Sequence, residues 1–277
     1  MALQADAEPW TIVAGRMWIA TAALHLYLWM RRAAGKEPPP TPNSLGKLIG
    51  MGLVGAAAPF ALLSWAQTRI DSGLVGILAA LTPILVGVTG PMFAREERLT
   101  SGRIVGLVLG FAGVVVLMGP EAIAGLGGPA FLGQFAAAAG AVCYAANALM
   151  GRRGVDIPPL EAAAGWTLWG AIFSTPFAIW TWAGPPLPMA WIMITVLALG
   201  ATGIGGIAYF MLLRSVGPTF VSQTNYLLPV GAVAFGAALF GERLDWNAAA
   251  ALVLIGLGLI TTQDGWRRFE RFLRRPA

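Results

Sequence analysis

Nine apolar stretches joined by short connections leave this 277-residue chain few ways to fold. They run roughly from Pro9 to Met30, Leu45 to Trp65, Ser72 to Phe93, Ile104 to Gly119, Ala130 to Met150, Leu160 to Trp182, Ala190 to Leu213, Thr219 to Phe240 and Trp246 to Gln263. A membrane-spanning helix needs about 20 mostly apolar residues, and each stretch is near that length. With 57% hydrophobic and 11% charged residues, the chain could not hide its apolar surface in a water-soluble fold of this size. The expectation is an all-α membrane protein with nine transmembrane helices. The longest linker, Arg31 to Ser44, carries Pro38, Pro39, Pro40 and Pro42 and cannot be helical throughout.

Charge gives the orientation. With the N-terminus outside, the inside segments collect Arg31, Arg32, Lys36, Lys47, Arg95, Arg98, Arg103, Arg152, Arg153, Arg214 and the five arginines of the tail, while the outside segments keep only Arg69 and Arg243. That asymmetry obeys the positive-inside rule, so the net charge of +5 reads as topology and not as a nucleic-acid surface. One cysteine, Cys143, excludes a disulfide framework, and with one histidine, His25, it leaves almost no metal chemistry; no metal or cofactor is expected. The start MALQADAEP lacks the basic region of a signal peptide. Residues 265–277 place Trp266, Phe269, Phe272 and Leu273 on one helical face and arginines on the rest, a basic amphipathic tail for the cytoplasmic leaflet.

The chain also repeats itself. Ser72 to Gly119 and Gly217 to Gln263 each give an apolar helix interrupted by proline, a charged turn and a glycine-rich helix. Aligning Pro83 with Pro229, Glu97 with Glu242 and Gly113 with Gly258 needs a one-residue adjustment, so an internal duplication is the economical explanation. The halves are residues 1–119, with four helices, and 130–264, with five. Two such halves in a hydrophobic chain suggest a transporter.

The paired proline helices, the turns Glu97-Arg98-Leu99 and Gly241-Glu242-Arg243-Leu244, and the glycine-rich helices after them resemble the two EamA domains of the drug/metabolite transporter superfamily. The resemblance covers nearly the whole chain. It implies ten helices in two inverted five-helix repeats, both termini cytoplasmic, and export of amino acids, other metabolites or drugs across a bacterial inner membrane. Pro9 to Met30 resembles the family's second helix, so the first is missing here; the expected reason is a start site placed too far downstream or a truncated reading, the alternative a chain that begins outside with no preceding span. The N-terminus is then outside and the C-terminus cytoplasmic.

Polar side chains inside hydrocarbon are costly and usually face the bundle interior, so each is a candidate for the site. Thr219, Ser222, Gln223 and Tyr226 recur at i, i+3, i+4, i+7, with Asn225 on the flank. Tyr144 and Asn147 on the fifth span, Tyr209 with Thr202, Gly205 and Gly206 on the seventh, and Trp65 beside Ala57, Phe60, Ala61 and Ser64 on the second form supporting faces. The resemblance places these spans around a central cavity. The alternative for the stripe is interhelical hydrogen bonding, and for the glycines close packing. Where the second half has Ser222, Gln223, Asn225 and Tyr226, the first has Gly76, Ile77, Ala79 and Ala80, which suits a modest, partly apolar solute. Arg16 lies about 10 Å into the first span; it either snorkels outward or binds an anionic substrate. Glu161 and Glu242 read as helix-end or loop carboxylates. Gly106 and Gly110 give a G-x-x-x-G spacing.

Enzymes fit poorly, since the spans contain no H-E-x-x-H, no G-x-S-x-G, no Asp-rich motif and no carboxylate pair. The function expected is secondary transport by alternating access about a midplane site; the alternative is a non-transporting membrane subunit or scaffold. The partners expected are a small-molecule solute and the lipid bilayer, with a homodimer left open and no nucleic acid.

Overall fold

A computed structural model describes residues 9–93, 100–124, 126, 130–153, 156–227, 231 and 246–261, and every regular element among them is helical. In chain order these are α1 (Pro9–Ala33), α2 (Leu45–Gly52), a π-helical segment π1 (Leu53–Ala57), α3 (Ala58–Gln67), α4 (Ser72–Ala79), α5 (Thr82–Phe93), α6 (Ser101–Ala124) and α7 (Phe131–Arg153). There follow α8 (Pro159–Trp180), α9 (Pro188–Leu197), π2 (Ala198–Ile204), α10 (Gly205–Val216) and α11 (Pro218–Ser222), and then α12 (Trp246–Thr261). Among the described residues, six helical runs are long and apolar enough to cross a membrane: Pro9–Ala33, Leu45–Gln67, Ser72–Met92, Ser101–Gly119, Phe131–Arg153 and Pro188–Val216. Trp246–Thr261 is a shorter apolar helix. Helix α8, with 22 residues, corresponds to the sixth expected span. The eighth is described through Leu227 and at Gly231 alone; Pro229, both charged turns, Asp245 and the basic tail lie outside the described residues.

Local chemistry explains several boundaries. Pro83 has no N–H for the carbonyl of Ala79 four residues back, so the third span divides into α4 and α5. The Thr82 hydroxyl donates to that carbonyl instead, at 2.8 Å. Thr100 caps α6, its hydroxyl accepting the Arg103 N–H at 3.3 Å. Pro59 would crowd the carbonyl of Gly55, and the chain widens there into π1, which closes with the Ala58 N–H on the Leu53 carbonyl. Segment π2 begins at the repeat-equivalent place when Ala57 is aligned with Thr202; it contains Gly200 and Gly203 and closes with the Gly205 N–H on the Gly200 carbonyl.

The chain forms two compact units, Met1–Phe60 with Met150–Arg214, and Ala61–Leu149 with Ser215–Ala277. Each draws on both sequence halves. Lipid tails are as apolar as leucine, so close packing and hydrogen bonds, more than hydrophobic burial, hold such helices together.

Unit 1 is built on α1 against α8, running antiparallel. Trp10 stacks on Phe177 with centroids 4.7 Å apart, the Trp18 indole donates to Thr175 at 2.9 Å, and Arg32 pairs with Glu161 at 2.7 Å. Met17, Ala56 and Ala171 form the core between them, with Phe60 and Trp166 packed against it. Gly52 lets α2 touch the Trp169–Gly170 backbone, 2.9 Å from where a Cβ would stand.

Unit 2 is built on α6 against α12. A Cβ on Gly258 would lie 2.7 Å from the Gly106 carbonyl oxygen and 2.9 Å from the Gly110 nitrogen, so the G-x-x-x-G pair is the contact face of this crossing. Ile77, Ala80, Val114, Tyr226 and Ile255 fill the core beside it. A second cluster, Ala66, Val75, Ala136 and Ala137, and a third, Val86, Ala145, Ala148 and Leu149, seat α7 on α3, α4 and α5.

Candidate functional site

The sequence-derived candidates divide between the units. Arg16 and Tyr209 belong to unit 1; Trp65, Tyr144, Asn147, Ser222, Gln223, Asn225 and Tyr226 belong to unit 2.

In unit 1, Arg16 is half-buried and its guanidinium carbon stands 4.3 Å from the centroid of the Phe60 ring. A cation on an aromatic face gains about 1–2 kcal/mol when desolvated, which helps hold a charge inside a span. Tyr209, also half-buried, meets Phe210 edge-on at 5.2 Å, and Phe210 meets Trp166 edge-on at 6.3 Å. Gly206 lies under the Trp166 ring, 3.4 Å from where its Cβ would be. The face of Thr202, Gly206 and Tyr209 is thus continued by an aromatic group that includes Trp166.

In unit 2, the stripe on the eighth span is deeply buried: Thr219, Ser222, Gln223 and Tyr226 are each no more than 4% exposed, and Asn225 is half-buried on the flank. Two of its hydroxyls are occupied. Ser222 donates to the Thr219 carbonyl at 2.9 Å, and Tyr226 donates to the Leu107 carbonyl at 3.1 Å with its ring in the notch left by Gly110. Asn147 is buried and Tyr144 half-buried on α7. Trp65 is exposed, with the Arg69 guanidinium carbon 4.1 Å from its ring centroid.

Glu161 has a larger role than a helix-end carboxylate. It is 6% exposed in the first turn of α8, where the helix dipole favours an anion. Besides Arg32, it accepts the Thr41 N–H at 3.0 Å and the hydroxyls of Thr41 and Ser44 at 3.4 and 3.5 Å. The proline-rich linker is thereby fastened to α8. Nearby, Lys47 donates to both carboxylate oxygens of Asp156 at 3.0 and 3.1 Å, and that hydrogen bond holds the Asp156 carboxyl below its ordinary pKa. Glu161 and its partners are more than 100 residues apart, so local reading could not join them. Trp166 carried no signal, since a tryptophan in an apolar run reads as core.

Comparison with known proteins gives a consistent result. The model of the EamA-like transporter family matches residues 1–119 and 131–262. An uncharacterized inner membrane transporter, YedA, of Escherichia coli strain K12 is 26% identical over 266 residues, 91% of this chain and 83% of that protein. The aromatic amino acid exporter YddG of Ancylobacter novellus is 30% identical over 194 residues, 68% of this chain and 66% of that protein. A solved crystal structure, 24% identical, superposes with a TM-score of 0.79 over 93% of this chain and 89% of that one, and so shares its fold. The apolar helices make this a multi-pass membrane protein, and the match across both sequence halves places it in the EamA-like transporter family.

Proposed function

We propose that the chain is a secondary transporter that exports amphipathic metabolites of amino-acid size across the inner membrane by alternating access. The observation that carries this reading is Arg16, a cation kept about 10 Å inside the first span on the face of Phe60. Charged groups persist inside spans chiefly where they work on solute, ion or partner charge. A guanidinium beside an aromatic ring suits a solute with a carboxylate and an apolar body, and the name of the relative YddG, an aromatic amino acid exporter, supports that class. The proposed solute-facing set is Arg16, Trp65, Tyr144, Asn147, Tyr209, Ser222, Gln223, Asn225 and Tyr226. The proposed topology keeps two inverted repeats, 1–119 and 130–264, with the N-terminus outside and the C-terminus cytoplasmic.

A non-transporting membrane subunit is the second reading, and the internally bonded hydroxyls of Ser222 and Tyr226 favour it. Counterflow of labelled aromatic amino acids into proteoliposomes decides between them. Saturable counterflow that Arg16→Ala lowers at least tenfold, with Arg16→Lys intermediate, supports the carrier. Wild-type protein no better than empty vesicles points to the subunit.

A further inference from the structure

We infer that Trp166 is a solute-contacting, specificity-determining residue of unit 1, its indole N–H donating to a hydrogen-bond acceptor on the solute. The inference rests on the carrier reading above. The Trp166 Nε1 is shielded from solvent and has no hydrogen-bond partner among the described residues. The indole of Trp18, on the partner helix, shows the ordinary solution by donating to Thr175 at 2.9 Å. A shielded donor without an acceptor weakens a fold, and hydrocarbon offers no water to rescue it, so its retention asks for a use.

The surroundings suit a flat solute. The Trp166 ring lies on Gly206, meets Phe210 edge-on at 6.3 Å with planes at 70°, and packs on the Met17, Ala56 and Ala171 core beside Phe60. Tyr209 continues the aromatic surface through Phe210. An aromatic or other apolar body would find edges and faces here, and the N–H is the group that tells a solute with a carboxylate from one without it.

Trp166 is also a different contact from Arg16. The Arg16 guanidinium stands over the Phe60 ring, whereas Trp166 packs beside Phe60 on the Met17, Ala56 and Ala171 core, so the cation and the N–H are separate groups of one aromatic surface.

The test places 3-benzothienylalanine, which has the shape of tryptophan with sulfur in place of the N–H, at position 166, with Trp166→Phe as a second variant. Labelled tryptophan and phenylalanine, and the corresponding amines without the carboxylate, are offered to proteoliposomes. The isostere is expected to raise the half-saturating concentration of both acids about tenfold and to change that of the amines little. The melting temperature without solute is expected to stay level or rise, since the lost donor has no partner in the protein. Unchanged half-saturation for every probe that the wild type carries overturns the inference, as does a melting temperature lowered by the isostere, which would show the N–H bonded within the fold. Wild-type protein that carries none of the four probes overturns the carrier reading for this solute class, and the role of Trp166 falls with it.

Discussion

The two units differ in which buried polar groups tie helix to helix. In unit 2 Tyr226 bonds the Leu107 carbonyl, Ser222 bonds Thr219, and Thr82 bridges from its own helix to the Ala141 carbonyl of α7 at 3.3 Å, while the shielded Thr219 hydroxyl has no partner among the described residues. Glycines complete the packing, with Gly258 flush on Gly106 and Gly110. In unit 1 the charges gather at one end, around Glu161, while Arg16 rests on an aromatic ring and Trp166 keeps a donor with no described acceptor. A polar stripe inside a span therefore does not by itself mark a site. What separates glue from site is whether the protein already satisfies the group.

The largest test of this contrast is at Glu161. Glu161→Gln removes the charge that Arg32 pairs with at 2.7 Å and leaves a half-shielded guanidinium uncompensated, a change that costs about 3 kcal/mol in comparable pairs. A fall in melting temperature of several degrees is expected, largely restored when Arg32→Leu is added. A change of under a degree would show the unit 1 end to be no anchor.

Next comes packing. Gly258→Ala sets a methyl against backbone atoms that cannot yield, and overpacking of this kind costs about 1–3 kcal/mol. Gly206→Ala, in unit 1, meets only side-chain atoms at ordinary contact distance, the Trp166 ring at 3.4 Å and the Ala163 Cβ at 3.8 Å, and is expected to leave the melting temperature nearly unchanged. Equal losses at both positions would erase the distinction between a close crossing and an open aromatic face.

Tyr226→Phe is smaller and more decisive for the site. Loss of one satisfied hydrogen bond costs about 1 kcal/mol. If the hydroxyl is glue, stability falls by that amount and the half-saturating concentration of a transported amino acid does not move. If Tyr226 faces solute, as the sequence suggests, half-saturation rises as well.

The all-helical membrane character was legible because twenty apolar residues have one cheap fate in a bilayer, and the Gly106–Gly110 contact because small residues four apart expose backbone on one face. The break before Pro83 was legible as a missing N–H. The Glu161 cluster was not, since its members come from both sequence halves. Nor were the π segments: Pro59 rationalises π1 once seen, but no proline follows π2 at the equivalent place. At the stripe the periodicity correctly put Thr219, Ser222, Gln223 and Tyr226 on one face; it could not say whether a solute or the Leu107 carbonyl waited there.

The smallest effect concerns the second ion pair of unit 1. Lys47 and Asp156 bond at 3.0 Å but keep 40% and 55% of their side chains exposed, so the pair contributes at most about 0.5 kcal/mol and salt screens it. Lys47 lowers the Asp156 pKa in the folded protein. The contribution is therefore present above the ordinary carboxylate pKa and disappears as pH falls through the lower folded value. The melting-temperature difference between wild type and Asp156→Asn is expected to be small at pH 7, to shrink toward pH 3 and to vanish in high salt. A difference that widened on acidification would reverse the sign of the coupling. The Glu161 effect, seated on a carboxylate 6% exposed, is expected to survive the same salt, which separates a clamp from a surface contact within one unit.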